Sequence, residues 1–276
     1  MLKKRLIFTL LYSAGSFMLS RNFRLQTVGN LEWLQRNYDF SHISYSIDEL
    51  VVIDVTREKR NLDEFCHVLK SLTFNNFVPI TAGGGVRTVD SARQLLRSGA
   101  DKILINSGLF QEGNLAGQLA EEFGQQCVVG SVDLKRSKTG ELQVWTRGGT
   151  VLNESRTIDL VEKILREDVG EIYLNSIDRD GTGQGFDFEI LDLLPIKVNK
   201  PLILAGGAGN SNHLLLGLKD SRIDAVATAN LFNFVGDGLS KARHELVANG
   251  IALPIWDLRF RKIEKPRSPE NSGSDD

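Results

Sequence analysis

The chain has 276 residues, 41% of them apolar, with a formal net charge of −2 and an isoelectric point near 6.1. That balance leaves no electrostatic footprint for nucleic acid, and no apolar run is long enough for a membrane helix. Two cysteines, Cys66 and Cys127, make no disulfide framework and fit a reducing cytoplasm, and the four histidines (His42, His67, His213, His244) share no metal-ligand spacing. No metal and no cofactor are expected.

In chain order, the start MLKKRLIFTLLYSAGSFMLS joins positive charge to an apolar run. The run from Leu6 to Tyr12 is short for a secretory signal and no cleavage site closes it, so Arg5–Leu11 is expected to be the first strand. A glycine-containing loop to about Asn30 and a helix over Leu31–Ser41 should follow. ELVVID, Glu49 to Asp54, is a strand, and Asn61 to Leu72 carries apolar residues at helical spacing. Pro79 to Phe110 reads as strand, triple-glycine turn, helix, strand and small polar turn. CVVGSVD, Cys127 to Asp133, is the next strand, and the polar stretch Leu134 to Ser155 is expected to form a hairpin. Thr157–Glu167 reads as a helix, Glu171–Ser176 as a strand, and SIDRDGTGQG as a glycine-rich loop. Two further strands and a closing helix near Leu239–Asn249 complete the count. From Arg259 onward apolar residues nearly vanish, which sets a folded unit over 1–255 and a polar, disordered tail over 256–276.

The two halves of this pattern repeat. Glu49 and Glu171 stand 122 residues apart, as do Pro79 and Pro201, Gly84 and Gly206, Gly85 and Gly207, Leu96 and Leu218, and Phe110 and Phe232. A gap-free offset across strand, turn and helix argues for two copies of a half-domain. Two halves of alternating strand and helix give an α/β fold, a single (β/α)8 barrel. Glycines between a strand and a helix start let backbone N–H groups approach an anion, so Gly84, Gly85, Gly206 and Gly207 form two candidate phosphate turns.

Chemistry in such barrels sits at the C-terminal strand ends. Asp133 ends the fifth strand beside Lys135 and Arg136 and is the candidate general acid or base. Its place in the first half is position 11, a leucine. At the other end, Arg5, Glu49, Lys102 and Glu171 begin strands 1, 2, 4 and 6. Strand parity turns all four into the lumen, where two cations and two anions would compensate one another.

GADKILINS, SVDLKR, NSIDRDGTG and LAGGAG, in this order, resemble the cyclase subunit of imidazole glycerol phosphate synthase over Met1 to about Gly250. The resemblance implies a (β/α)8 barrel that acts on a bisphosphate sugar compound with ammonia from a docked class I glutaminase. It places the family's second catalytic aspartate at Asp133 and its first at Leu11, which implies that cyclase chemistry is lost. It puts phosphate or substrate contacts at Gly85, Asn106, Asp180, Gly181 and Gly207. It also puts the ammonia gate at Arg5, Glu49, Lys102 and Glu171, and glutaminase contacts at Asp101 and Gln126. Leu19, Asn175, Ala205 and Asn230 depart from the family pattern, so the substrate pocket is rewritten. The Leu10–Leu11 pair further resembles the acetamidino-modification relatives of the cyclase, which implies delivery of ammonia to an amidotransferase acting on a surface-polysaccharide sugar. The alternative is an active cyclase of histidine biosynthesis in which Asp180 covers for position 11.

Overall fold

The computed structural model describes residues 3–38, 43–74, 76–195, 198–230 and 236–256. In chain order the strands are β1 (Arg5–Ser13), β2 (Ser16–Arg21), β3 (Arg24–Gly29), β4 (Glu49–Asp54), β5 (Ile80–Gly83), β6 (Lys102–Ile105), β7 (Val128–Arg136), β8 (Leu142–Thr146), β9 (Val151–Leu152), β10 (Glu171–Ser176), β11 (Leu202–Ala205) and β12 (Ala225–Thr228). The helices are α1 (Leu31–Asn37), α2 (Leu62–Thr73), α3 (Val89–Arg97), α4 (Leu115–Phe123), α5 (Thr157–Arg166), α6 (Ser211–Lys219) and α7 (Gly238–Ala248).

Eight strands form a closed parallel ring in the order β1, β4, β5, β6, β7, β10, β11, β12, and β12 returns to β1. The remaining four make two antiparallel hairpins, β2–β3 grown from the end of β1 and β8–β9 from the end of β7. This is the expected (β/α)8 barrel. Both faces of the ring strands are buried, which is why they read as near-continuous apolar runs. Outward residues such as Leu6, Phe8, Leu50 and Leu174 pack with the helices, while Ile7, Val51, Leu104, Val129, Tyr173 and Ile203 fill a separate cluster in the lumen.

The helices start where the sequence supplies caps. Asn61, Thr88 and Asn210 each accept a hydrogen bond from the third residue of the helix that follows, a contact worth about 1 kcal/mol. In α2 the buried residues Phe65, Cys66, Val68, Leu69 and Leu72 keep the helical period on one face. The repeat is exact in boundary for β4 with β10, β5 with β11 and α3 with α6, each pair offset by 122. Phe232, the last partner in the repeat, lies outside the described residues.

Two expectations need correction. The stretch up to Asn30 is not a loop: β1 runs on to Ser13, and β2–β3 is a hairpin turning on Asn22 and Phe23, with φ of 51° and 61°. Helix α1 ends at Asn37, with Tyr38 already extended. The rest of the stretch expected to be helical lies outside the described residues, as do the tail beyond Trp256 and His42. Among the described residues no helix is long and apolar enough to cross a membrane, and no cluster of His, Cys, Asp and Glu is arranged to hold a metal ion.

Candidate functional site at the two ends of the barrel

The strand starts bring four charges together on the barrel floor. Arg5 donates to Glu49 Oε2 at 2.8 Å and to both oxygens of Glu171 at 3.0 and 3.1 Å. Lys102 Nζ donates to Glu49 Oε2 at 3.0 Å and Glu171 Oε1 at 3.1 Å. Each cation therefore bridges both anions, and Thr81 Oγ1 donates to the remaining oxygen of Glu49. Burial lowers the Arg5 pKa, and Glu171 and Glu49 more than reverse that, so it stands above its usual value. Burial likewise raises Glu171, but Arg5 and Lys102 hold it below the usual carboxylate range. The ring is a closed, charge-neutral floor.

Asp101 and Gln126 lie exposed just before β6 and β7, at the same end of the barrel but outside the ring. Asp101 accepts from the Ile80 backbone N–H at 2.8 Å.

At the opposite end Asp133 projects from β7 with 8% exposure. Asn106, just past β6, donates to its Oδ2 at 3.1 Å, and Asn175 of β10 donates to its Oδ1 at 3.2 Å. Burial pushes the Asp133 carboxyl up to about 7, the Asn175 hydrogen bond opposes that, and the negative charge of Asp180 adds to it. A carboxyl poised there exchanges protons readily near neutrality. Leu11, at the equivalent position of β1, is 9% exposed and brings no polar atom to the mouth.

Asp180 is built into the wall rather than projecting freely. Its carboxylate accepts from Ser20 Oγ and from the Phe23 N–H at 3.0 Å, so it clamps the β2–β3 hairpin to the loop after β10. Burial raises its pKa and these two donors oppose the rise. Gly181 beside it has φ of 66°, and a Cβ there would sit 1.8 Å from the Ser20 carbonyl oxygen, so glycine is required for the close approach.

The two glycine turns open at this end. Gly84 has φ of 100°, and a Cβ there would stand 2.1 Å from the Asp54 carbonyl oxygen. Gly85, Gly206 and Gly207 also have positive φ, and each turn leads into a helix start, at α3 and α6. One turn follows β5 and the other β11, strands that lie in different halves of the ring.

Several further polar and aromatic residues stand at this site that the sequence did not single out. Trp145 is the register partner of Asp133 across the β7–β8 hairpin, and Lys135 Nζ lies over its ring at 4.8 Å. Asp54 ends β4 at 3% exposure, with Arg60 Nε at 3.7 Å. A polar residue closing an apolar strand was the available signal for Asp54. Within the lumen, Tyr173 OH meets Thr9 Oγ1 at 3.3 Å.

Residues 37–236 match the family described as histidine biosynthesis protein. The chain belongs to this family. It is 42% identical over 259 residues to a protein of Parasynechococcus marenigrum (strain WH8102) named "Putative imidazole glycerol phosphate synthase subunit hisF2", covering 94% of this chain and 96% of that relative. The motif resemblance therefore holds at the level of the histidine biosynthesis family, and the barrel extends on both sides of the matched region, from β1 before residue 37 to α7 after residue 236.

Proposed function

We propose that the chain is the barrel subunit of a cytoplasmic glutamine amidotransferase system. It docks a class I glutaminase on its floor, conducts ammonia along the lumen and delivers it to an amidotransferase that forms an acetamidino group on a surface-polysaccharide sugar. The observation that carries the reading is the contrast between the two ends. The floor has all four members of its ion ring, whereas at the mouth Asp133 is the candidate proton-transfer carboxylate, Asp180 is engaged with the β2–β3 hairpin, and a buried leucine stands where the second proton-transfer group would be. A hydrocarbon side chain moves no proton, and a positioned acid or base contributes ~10²–10⁴-fold to such a reaction. On this reading Arg5, Glu49, Lys102 and Glu171 are the ammonia gate, and Asp101 and Gln126 contact the glutaminase. Gly84, Gly85, Gly181, Gly206 and Gly207, with Asn106 and Asp180, line what remains of a phosphate and substrate pocket.

The second reading is an active cyclase of histidine biosynthesis. It is favoured by the closeness of Asp180 to Asp133, near enough for its charge to raise the Asp133 pKa, and by the name of the cyanobacterial relative. One pair of experiments separates them. Expression in a histidine auxotroph lacking its cyclase should fail to restore growth, and the purified chain should bind a class I glutaminase of the same organism and stimulate its glutamine turnover. Robust growth would establish the cyclase instead, and no binding at micromolar concentration would remove the ammonia-delivery reading.

A further inference from the structure

Between floor and mouth the lumen is filled by Ile7, Val51, Leu104, Val129 and Ile203, an aliphatic section that offers water no partners. Across it runs a pair of hydroxyls. Tyr173 extends from β10 to Thr9 on β1, and β11 and β12 separate these strands in the ring, so the phenol spans the bore rather than lying along its wall. Both residues are buried, at 5% and 2% exposure. Their oxygens are 3.3 Å apart, beyond the roughly 2.5–3.0 Å of a well-made O–H···O bond. A long bond between two groups that both donate and accept leaves each with capacity to spare.

We propose that Tyr173 and Thr9 form a binding station for neutral ammonia. The phenol O–H donates to the nitrogen lone pair and one ammonia N–H donates to Thr9 Oγ1, so the guest replaces the direct contact and the two oxygens move apart from 3.3 Å to admit it. The inference rests on the reading above for why ammonia occupies the lumen at all. Ammonium does not fit, because it has no lone pair to accept the phenol proton and its charge would lie among aliphatic side chains. The phenol remains protonated in this setting: burial raises its pKa, the Thr9 hydrogen bond opposes this, and the charges of Asp133, Asp180 and Glu49 reinforce it. Strand β10 sets the spacing. Glu171, Tyr173 and Asn175 alternate into the lumen at floor, middle and mouth, and two residues of strand rise about 7 Å. A molecule released at the floor meets its next hydrogen-bonding partner one such step away.

The test uses the full chain carrying tyrosine labelled with carbon-13 at the ring carbon bonded to oxygen. The chain has four tyrosines, so the spectrum is simple, and Tyr173→Phe identifies its signal by loss. Should that variant not fold, Tyr12→Phe, Tyr38→Phe and Tyr45→Phe identify it by elimination. Ammonium chloride is titrated at pH 9.5, where much of it is neutral ammonia, and at pH 6, where nearly all is ammonium, with sodium chloride as the control at each pH. The expected result is a saturable shift of the Tyr173 signal at pH 9.5 alone, weakened at least fivefold in affinity by Thr9→Val. No shift beyond the sodium chloride control, an equal shift at both pH values, or an unchanged affinity in Thr9→Val overturns the station. Failure of glutaminase binding would remove the delivery reading and leave this titration unaffected.

Discussion

Lys102→Met removes one cation from the floor ring and leaves Arg5 alone between Glu49 and Glu171. The lysine side chain is 17% exposed, and its two acceptors are 2% and 15% exposed, so little water is available to replace it. Breaking a buried pair typically costs about 3–5 kcal/mol, and because Arg5 still holds both carboxylates the lower end, about 3 kcal/mol, is expected. For a barrel of this size each kcal/mol moves Tm by roughly 2–4 °C, which gives a fall of about 6–12 °C. The loss is also pH-dependent. The depressed Glu171 pKa contributes stability that is complete above its unfolded value of 4.5 and is lost as pH falls through the lower folded value. Calorimetric melts of both proteins at pH 7 and pH 4 should therefore show the larger gap at pH 7. A fall of less than 2 °C at pH 7 would refute the coupled ring. Stability does not separate a gate from a plug, an ion ring that only seals the floor, so the same variant is assayed with the proposed glutaminase and amidotransferase. A gate mutant that folds and docks should lose glutamine-driven product while free ammonium salts restore it, and wild-type transfer would leave the lysine as a plug.

Three other outcomes follow from particular contacts. Asp133 has a folded pKa raised from 3.8 to about 7, so its ionisation opposes folding, and the loss accumulates as pH rises from 3.8 to about 7. Asp133→Asn should thus gain about 2 kcal/mol more relative to wild type at pH 8 than at pH 5 in urea unfolding, and equal differences at both pH values would contradict the burial argument. Gly84→Ala places a methyl group 2.1 Å from the Asp54 carbonyl oxygen at φ of 100° and should lose about 2–3 kcal/mol by the same measurement, against no loss if the turn relaxes freely. Arg243 and Asp48 form an ion pair at 2% and 1% side-chain exposure, with contacts of 2.9 and 3.1 Å. Arg243→Met should lose about 3–5 kcal/mol, and adding Asp48→Asn should recover part of it, with simple additivity in the double-mutant cycle as the refuting result.

The barrel was legible because its strands are short apolar runs with polar ends, and because the second half repeats the first. Parity alone turned Arg5, Glu49, Lys102 and Glu171 to one face, and the structure joins them through contacts of 2.8 to 3.1 Å. The β2–β3 hairpin was not legible. Its turn places Phe23 at φ of 61°, a conformation in which glycine would have announced a hairpin and phenylalanine does not. What holds it is the Asp180 carboxylate on the Phe23 N–H, a contact between segments far apart in the chain. Asp180 was singled out as a substrate contact, and the structure shows its carboxylate engaged with the hairpin. Thr9 and Tyr173 escaped for a different reason. A hydroxyl inside an apolar strand carries no sign of the partner across the bore.

Closure of the ring by β12 on β1, with Arg5 in register with Ala225, has a consequence for biosynthesis. The first strand leaves the ribosome with one edge unpaired and keeps it until nearly the whole barrel has been translated, a condition that favours association with other nascent chains. The floor charges emerge in the order Arg5, Glu49, Lys102, Glu171, so the nascent ring alternates between a surplus cation and neutrality until the last glutamate appears. Asp48 waits longer still, for Arg243 and for the indole N–H of Trp256 at 2.8 Å. Ribosome-bound chains stalled before β12 should therefore depend on chaperones in a way that chains released after Trp256 do not.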